Sequence, residues 1–322
     1  MRCFKYFNAT SIEEAITILS KYKEKAKVIA GGTDLLGELK DQNLPMYPEI
    51  LVNIKTIPGL SYIKEEDRML KIGALTKLRD IEKNTMVRDK YKALAEAAHA
   101  VAYPEIRYMG TIAGNLCQDI RCWYYRSSNN YFHCLRKGGA TCYAMAGDNR
   151  YHSIFGAVGG CVAVNPSDTA PALVALNARI KTSKRTVDAE DFFKVGLMET
   201  TILDVDEIVT EIQVPTPATG TKSAFIKFAI RKTVDFPIVN CAAAITSEAG
   251  VVREARICLN AVYNLPYRAK KAEEYIKGKS IDESTAEEAG KKAVEDAIPL
   301  TMNKYKVQIA KALVKRAILA CR

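Results

Sequence analysis

Five of the nine cysteines in this 322-residue chain fall between Cys117 and Cys161, in a stretch rich in glycine and aromatic residues. Even spacing would put about one cysteine in a window of that length, so the crowding is a signal. From Cys122 the intervals are C-x11-C-x7-C-x18-C, ending at Cys161. Four thiolates without histidine suit either structural zinc or an iron–sulfur cluster. The short C-x2-C pairs of zinc ribbons are missing, so the spacing alone names no metal. His133 and His152 stand nearby but read as surface or packing residues. Cys117 directly follows a glycine turn and reads as a buried bystander, and Cys3, Cys241, Cys258 and Cys321 as packing.

A second kind of chemistry is written in glycine. Ala30-Gly31-Gly32-Thr33-Asp34 joins a strand to a helix, where glycines let backbone N–H groups approach a phosphate. The motif is neither G-x-G-x-x-G nor a nucleoside-triphosphate loop. Thr111-Ile112-Ala113-Gly114-Asn115, after Gly110, is a second glycine-bearing loop. Two such anion cradles on separate units suit the diphosphate of a dinucleotide better than a single phosphate. No persuasive Ser-His-Asp set can be assembled from only His99, His133 and His152.

Composition sets limits on the rest. Hydrophobic content of 48% and charged content of 26% are those of an ordinary soluble globular protein. The N-terminal stretch MRCFKYFNATSIEEAI lacks an apolar segment of signal-peptide length, and no run reaches membrane-spanning length. These features predict a cytoplasmic chain with no membrane association, where thiols stay reduced and clustered cysteines serve as ligands. The net charge of +10 is spread through runs such as KYKEKAK and RAKKAEEYIKGK, interrupted by acids. That is a solvated lysine-rich surface, not the concentrated stripe of a nucleic-acid binder.

Three units must position these residues. Residues 1–55 read as a small α/β unit: a helix after Thr10 and Ser11, a short strand Lys27–Ala30, a helix with Leu35, Leu36 and Leu39, and a strand LVNI. Residues 56–215 hold the strand MLKIGAL and helices at 78–84 and 91–102. The irregular cysteine segment, about 117–161, follows them. Strand-like CVAV, ARIKT and EIVTEIQVP close this unit. After the breaker PTPATG, residues 220–322 carry three strands and then three helical stretches.

The chain resembles the FAD-binding medium subunit of the molybdenum hydroxylases, the group of xanthine dehydrogenase and carbon monoxide dehydrogenase. The resemblance spans essentially the whole chain. It is carried by AGGTDLL at 30–36, TIAGNLCQD at 111–119, PSDTAPALVAL at 166–176 and FIKFAIRKTVDFPIVNCAAAI at 225–245. It implies an α+β fold: a type-2 FAD-binding (PCMH-like) two-subdomain α/β unit, then a C-terminal sheet-plus-helices domain. The cysteine segment, beginning RCWYYR, is not general to that family. It is similar to the insert of the 4-hydroxybenzoyl-CoA reductase β subunit, where four cysteines hold an additional 4Fe–4S cluster. The matching ligands would be Cys122, Cys134, Cys142 and Cys161, and Cys117 would not be one. The third interval is longer here than in that insert.

Carried over residue by residue, the resemblance implies an FAD diphosphate held by Gly31, Gly32, Thr33 and Asp34, flanked by Lys27, Val28, Ile29 and Ala30. Thr111, Ile112, Ala113, Gly114 and Asn115 would close on the same group. Val101 would pack near the cofactor, Asp168 would lie near the ribityl chain or ring, and Lys227 near the isoalloxazine. Arg231 and Asp235 read as a structural ion pair. The implied partners are a small 2Fe–2S subunit and a large molybdopterin-binding subunit, in a dimer of heterotrimers. Electrons would pass to or from an external carrier, ferredoxin or NAD. Purine or xanthine dehydrogenation by the complex, a nucleotide-binding module with a four-cysteine zinc site, and a self-sufficient flavin dehydrogenase are the competing readings.

Overall fold

The first helix begins where its cap residues predict. In α1 (Ile12–Tyr22), Ser11 Oγ accepts from Glu14 N at 3.1 Å, and the Glu14 carboxylate accepts from Thr10 N at 2.7 Å. The first bond satisfies an N–H that a helix start leaves unpaired, and the second fastens the residue before the cap. Ala15 and Leu19 then face a three-stranded parallel sheet of order β1-β3-β2 (β1, Lys5–Asn8; β2, Ala26–Ile29; β3, Ile50–Asn53). Helix α2 (Leu35–Asp41) follows the glycine loop. The computed structural model describes residues 1–322.

The middle of the chain forms a five-stranded antiparallel sheet of order β4-β5-β8-β6-β7. Its strands are β4 (Ile63–Glu66), β5 (Met69–Gly73), β6 (Arg179–Thr182), β7 (Thr186–Asp188) and β8 (Val209–Pro215). Strict alternation in β5 turns Leu70 and Ile72 into the core. Against this sheet lie short helices α3 (Leu78–Lys83), α4 (Thr85–Lys90), α5 (Lys92–Ala100), α6 (Pro104–Met109), α7 (Ile112–Leu116) and α8 (Thr169–Ala175). The expected strand at CVAV does not form. Residues 161–164 make only isolated bridges, Cys161 with Val158 and Val164 with Arg121, because the surrounding segment offers no continuous partner strand. The Arg121–Val164 pairing has a consequence: reciprocal bonds of 2.9 and 3.2 Å tie the cysteine segment at its neck.

The C-terminal sheet, order β12-β11-β10-β9, is antiparallel (β9, Thr221–Phe228; β10, Val239–Glu248; β11, Val251–Asn260; β12, Tyr267–Arg268). The run Val-Asn-Cys-Ala-Ala-Ala-Ile in β10 is apolar on both faces, and both faces are covered. Cys241, Ala243 and Ile245 join the core built with α9 (Lys270–Ile276), α10 (Glu283–Ala293) and α11 (Lys304–Leu319). Ala242 joins the core shared with α5 and α8. This sheet therefore links the middle unit to the C-terminal helices. No helix is long and apolar enough to cross a membrane.

Candidate functional site

The glycine loop after β2 has the chemistry of an anion cradle. Ile29 is buried, Lys27 is exposed, and Val28, Ala30, Gly31 and Gly32 are half-buried. The N–H groups of Gly31, Gly32, Thr33 and Asp34 donate to no acceptor in the protein. Such a run of unused donors suits an anion. Gly32 has φ of +72°, which a side chain would strain. A Cβ on Gly31 would stand 2.4 Å from the Met109 carbonyl oxygen. The two glycine segments thus meet only because Gly31 has no side chain. Asp34 turns its carboxylate away from this row. It accepts from Asp119 N at 2.9 Å, Arg121 Nη2 at 2.7 Å, and Arg126 Nη1 and Nη2 at 2.9 and 3.0 Å. The two guanidiniums hold its carboxyl below the usual range despite burial.

The second loop is helical. Residues 112–116 form the one-turn helix α7, capped by Thr111, whose Oγ1 accepts from Gly114 N at 3.1 Å. Ile112 N and Ala113 N donate to Thr76 O and Ala74 O, and Asn115 N to Thr111 O. These donors are committed within the protein, and of residues 111–115 only Thr111 N has no acceptor in it. The loop's contribution comes from Asn115, whose Oδ1 accepts from Ser167 Oγ at 2.7 Å, Thr169 Oγ1 at 2.6 Å and Thr169 N at 3.3 Å. Asn115 therefore fixes the turn that presents Asp168.

Asp168 continues the chain of contacts into the C-terminal sheet. Its Oδ2 accepts from Lys227 Nζ at 2.8 Å and its Oδ1 from Asn240 Nδ2 at 2.8 Å. Lys227 Nζ also donates to the Ala100 carbonyl at 2.9 Å, next to Val101. Arg107 Nη1 holds the Val101 carbonyl at 3.0 Å. Asn115, Asp168, Lys227 and Val101, far apart in sequence, are thus brought together. The Asp168 and Lys227 side chains are only 4% and 9% exposed. Removing one partner of a buried ion pair leaves an uncompensated charge, so Lys227→Met should destabilise the fold by about 3–5 kcal/mol. Adding Asp168→Asn should restore most of that loss. Denaturant unfolding of the two variants checks both expectations.

The cysteines form a neighbouring group. Cys122, Cys134 and Cys161 pack with Ile120, Tyr125, Ala163 and Leu197. Cys142 opens a short 3₁₀ turn. Burial pushes the Cys122 thiol up to about 12, and Cys161 and Cys142 lie close enough to add to that effect. All nine cysteines are free. A tetrahedral zinc site, with Zn–S bonds of about 2.3 Å, needs its ligands drawn to one point. No three Cys, His, Asp or Glu side chains converge so closely. Four thiols without a carboxylate suit structural zinc or an iron–sulfur cluster alike. Cys117 lies outside this group and packs on the middle core, and Cys241, Cys258 and Cys321 are buried elsewhere.

Residues that sequence reasoning passed over tie the two sites together. Arg121, adjacent to Cys122, reaches Asp34 of the glycine loop and stacks on Phe236 at 3.9 Å. Arg126 reaches Asp34 and Glu38. A cleft of about 620 Å³ opens beside them, bordered by Arg121, Cys122, Trp123, Phe236 and the Arg231–Asp235 pair. That pair is bonded through Arg231 Nε at 3.0 Å, as a structural ion pair should be. His152, expected at the surface or in packing, is buried with Nε2 3.2 Å from Cys122 Sγ. The conspicuous Arg-Cys dipeptide and the aspartate of AGGTD were the available signals for the arginine link. His152 was marked only by its nearness to the cysteines.

Residues 2–217 match the family model described as FAD binding domain in molybdopterin dehydrogenase, and residues 224–321 match the CO dehydrogenase flavoprotein C-terminal domain. The chain belongs to the FAD-binding subunits of the molybdenum hydroxylase family. It is similar to the nicotinate dehydrogenase FAD-subunit of Eubacterium barkeri, with 30% identity covering 89% of this chain and 84% of that one. The carbon monoxide dehydrogenase medium chain of Hydrogenophaga pseudoflava is 28% identical, covering 98% and 96%. A solved structure of the carbon monoxide dehydrogenase from that organism, lacking the Mo-pyranopterin moiety, superposes with a TM-score of 0.78 at 27% identity, covering 99% and 97%. This subunit of an oxidoreductase therefore has FAD as its cofactor and the mixed α/β architecture of the medium chains, with an FAD-binding domain and a C-terminal sheet domain.

Proposed function

We propose that this FAD subunit is also an iron–sulfur protein, relaying electrons between an external carrier and partner subunits that hold a 2Fe–2S centre and molybdenum. The observation that carries the reading is the double salt bridge from Arg121 and Arg126 to Asp34. It joins a four-thiol group to the anion cradle of a flavin domain. Gly31, Gly32, Thr33 and Asp34 hold the diphosphate through their backbone N–H groups, with Lys27 to Ala30 as the supporting strand. Thr111 to Asn115 close the site by shape, Asn115 through the turn it fixes. Asp168, Lys227 and Val101 lie toward the flavin ring. Cys122, Cys134, Cys142 and Cys161 hold a 4Fe–4S cluster.

FAD supplies exchange of one or two electrons, and the cluster exchanges one. The protein's part is to orient both and to place charge beside them. Lys227 would act on the flavin side by holding Asp168 and the Ala100 carbonyl in place, its charge balanced by the Asp168 carboxylate. The assembly is a cytoplasmic dimer of heterotrimers with the small and large subunits, and its carrier is ferredoxin or NAD. Similarity of the cysteine segment to the 4-hydroxybenzoyl-CoA reductase insert supports an aromatic thioester as substrate of the complex. Similarity to the nicotinate dehydrogenase FAD-subunit supports an N-heterocycle such as nicotinate instead. Affinity capture of the tagged chain, followed by intact mass spectrometry, tests the assembly. Two further subunits should co-purify, and a chain that carries flavin and turns over substrate alone would refute the relay.

A further inference from the structure

His152 lies on the stretch between Cys142 and Cys161, and its backbone is gripped from behind. Asn303 Nδ2 and Lys306 Nζ both donate to the His152 carbonyl, at 3.1 and 2.9 Å. Lys306, at the start of α11, is wholly buried and has no carboxylate partner. Its other acceptors are the carbonyls of Tyr151 at 3.2 Å and Ala261 at 2.6 Å. Two C-terminal residues thus pin the main chain that carries the imidazole. The ring itself makes one polar contact, Nε2 to Cys122 Sγ at 3.2 Å, and its buried Nδ1 has no partner.

The direction of that bond follows from the state of the sulfur. A free thiol can donate to an imidazole nitrogen, whereas a sulfur bound to iron has lost its proton and can only accept. With Cys122 as a ligand, Nε2 must carry the hydrogen. Hydrogen bonds to ligand sulfurs are among the factors that set a cluster's potential. An electron entering the cluster spreads negative charge onto those sulfurs, so a donor aimed at one stabilises the reduced form more than the oxidised form.

We infer that His152 is a positioning residue for the cluster: it donates Nε2–H to Cys122 Sγ and raises the potential at which the cluster accepts one electron. The inference rests on Cys122 being a ligand, as proposed above. Asn303 and Lys306 hold the donor in place, so the C-terminal domain takes part in setting the potential.

The test is a redox titration of the intact complex with dithionite as reductant. It is followed by low-temperature EPR of the reduced 4Fe–4S signal, with iron measured in parallel. His152→Leu should keep its iron and lower the equilibrium constant for cluster reduction about tenfold, which is about 59 mV for a one-electron couple. His152→Gln, whose amide nitrogen can reach the Nε2 position, should restore most of that shift. His152→Asn is too short to reach the sulfur and should behave as the leucine variant, including where leucine prevents folding. Leucine and asparagine variants with the wild-type midpoint would overturn the inference while leaving the cluster in place. A wild-type complex without a 4Fe–4S signal would overturn the cluster assignment and this inference with it.

Discussion

Gly31→Val should leave the subunit without flavin. The first carbon of any side chain at residue 31 meets the Met109 carbonyl oxygen at 2.4 Å and Gly110 Cα at 3.0 Å. Both are backbone atoms and cannot rotate aside, so the loop or residues 109–110 must move. Overpacking of this kind costs about 1–3 kcal/mol in stability. The larger effect falls on the cofactor, because the displaced loop carries the only row of four uncommitted N–H groups at the site. Flavin affinity should fall more than tenfold, read as FAD per chain from the visible spectrum after desalting. Gly37 is the control, since a Cβ there meets nothing within 4 Å. It lies inside α2, where glycine is about 1 kcal/mol worse than alanine. Gly37→Ala should keep full flavin content and unfold slightly later. Retained flavin in Gly31→Val would refute the cradle.

Cys134→Ser should remove the cluster while most of the FAD remains. Cys134 is buried among Ile120, Tyr125 and Cys161, in a cluster separate from the one that Ile29 joins before the glycine loop. Serine keeps the size but is a far poorer ligand for iron than thiolate, a soft donor. Flavin should survive because its cradle is built on β2 and α2, outside the cysteine segment. Some loss is expected, because Arg121 and Arg126 lie in that segment and hold Asp34. The variant should lose about four irons per chain, the content of one such cluster. Cys117→Ser, a packing residue on the middle core, should keep its iron. Full iron in the Cys134 variant would show that the ligand set is wrong.

The sequence was most readable where local chemistry and tertiary contacts agree. The helix start at Ser11, the strand–glycine–helix order around Gly31 and the two-sided apolar run of β10 all follow from short-range rules. Motif resemblance then reached the family. At Thr111–Asn115 glycine signals backbone freedom, not which N–H groups are spent. Only the contacts with Thr76 and Ala74 reveal that. CVAV has strand composition, yet its neighbour is a 3₁₀-rich segment with no edge to pair with. Asn240 and His152 could be given no such roles from sequence for a related reason. Their roles depend on Asp168 and Cys122, which lie 72 and 30 residues away in the chain. No periodicity encodes such meetings.

Iron and flavin content of the intact complex, purified without oxygen, tests the two-cofactor subunit most directly. One FAD should accompany each copy of this chain, with about four irons beyond those of the small subunit and a broad absorbance that dithionite bleaches. Flavin accompanied by no additional iron would contradict the relay, and a complex with neither would contradict the site as a whole.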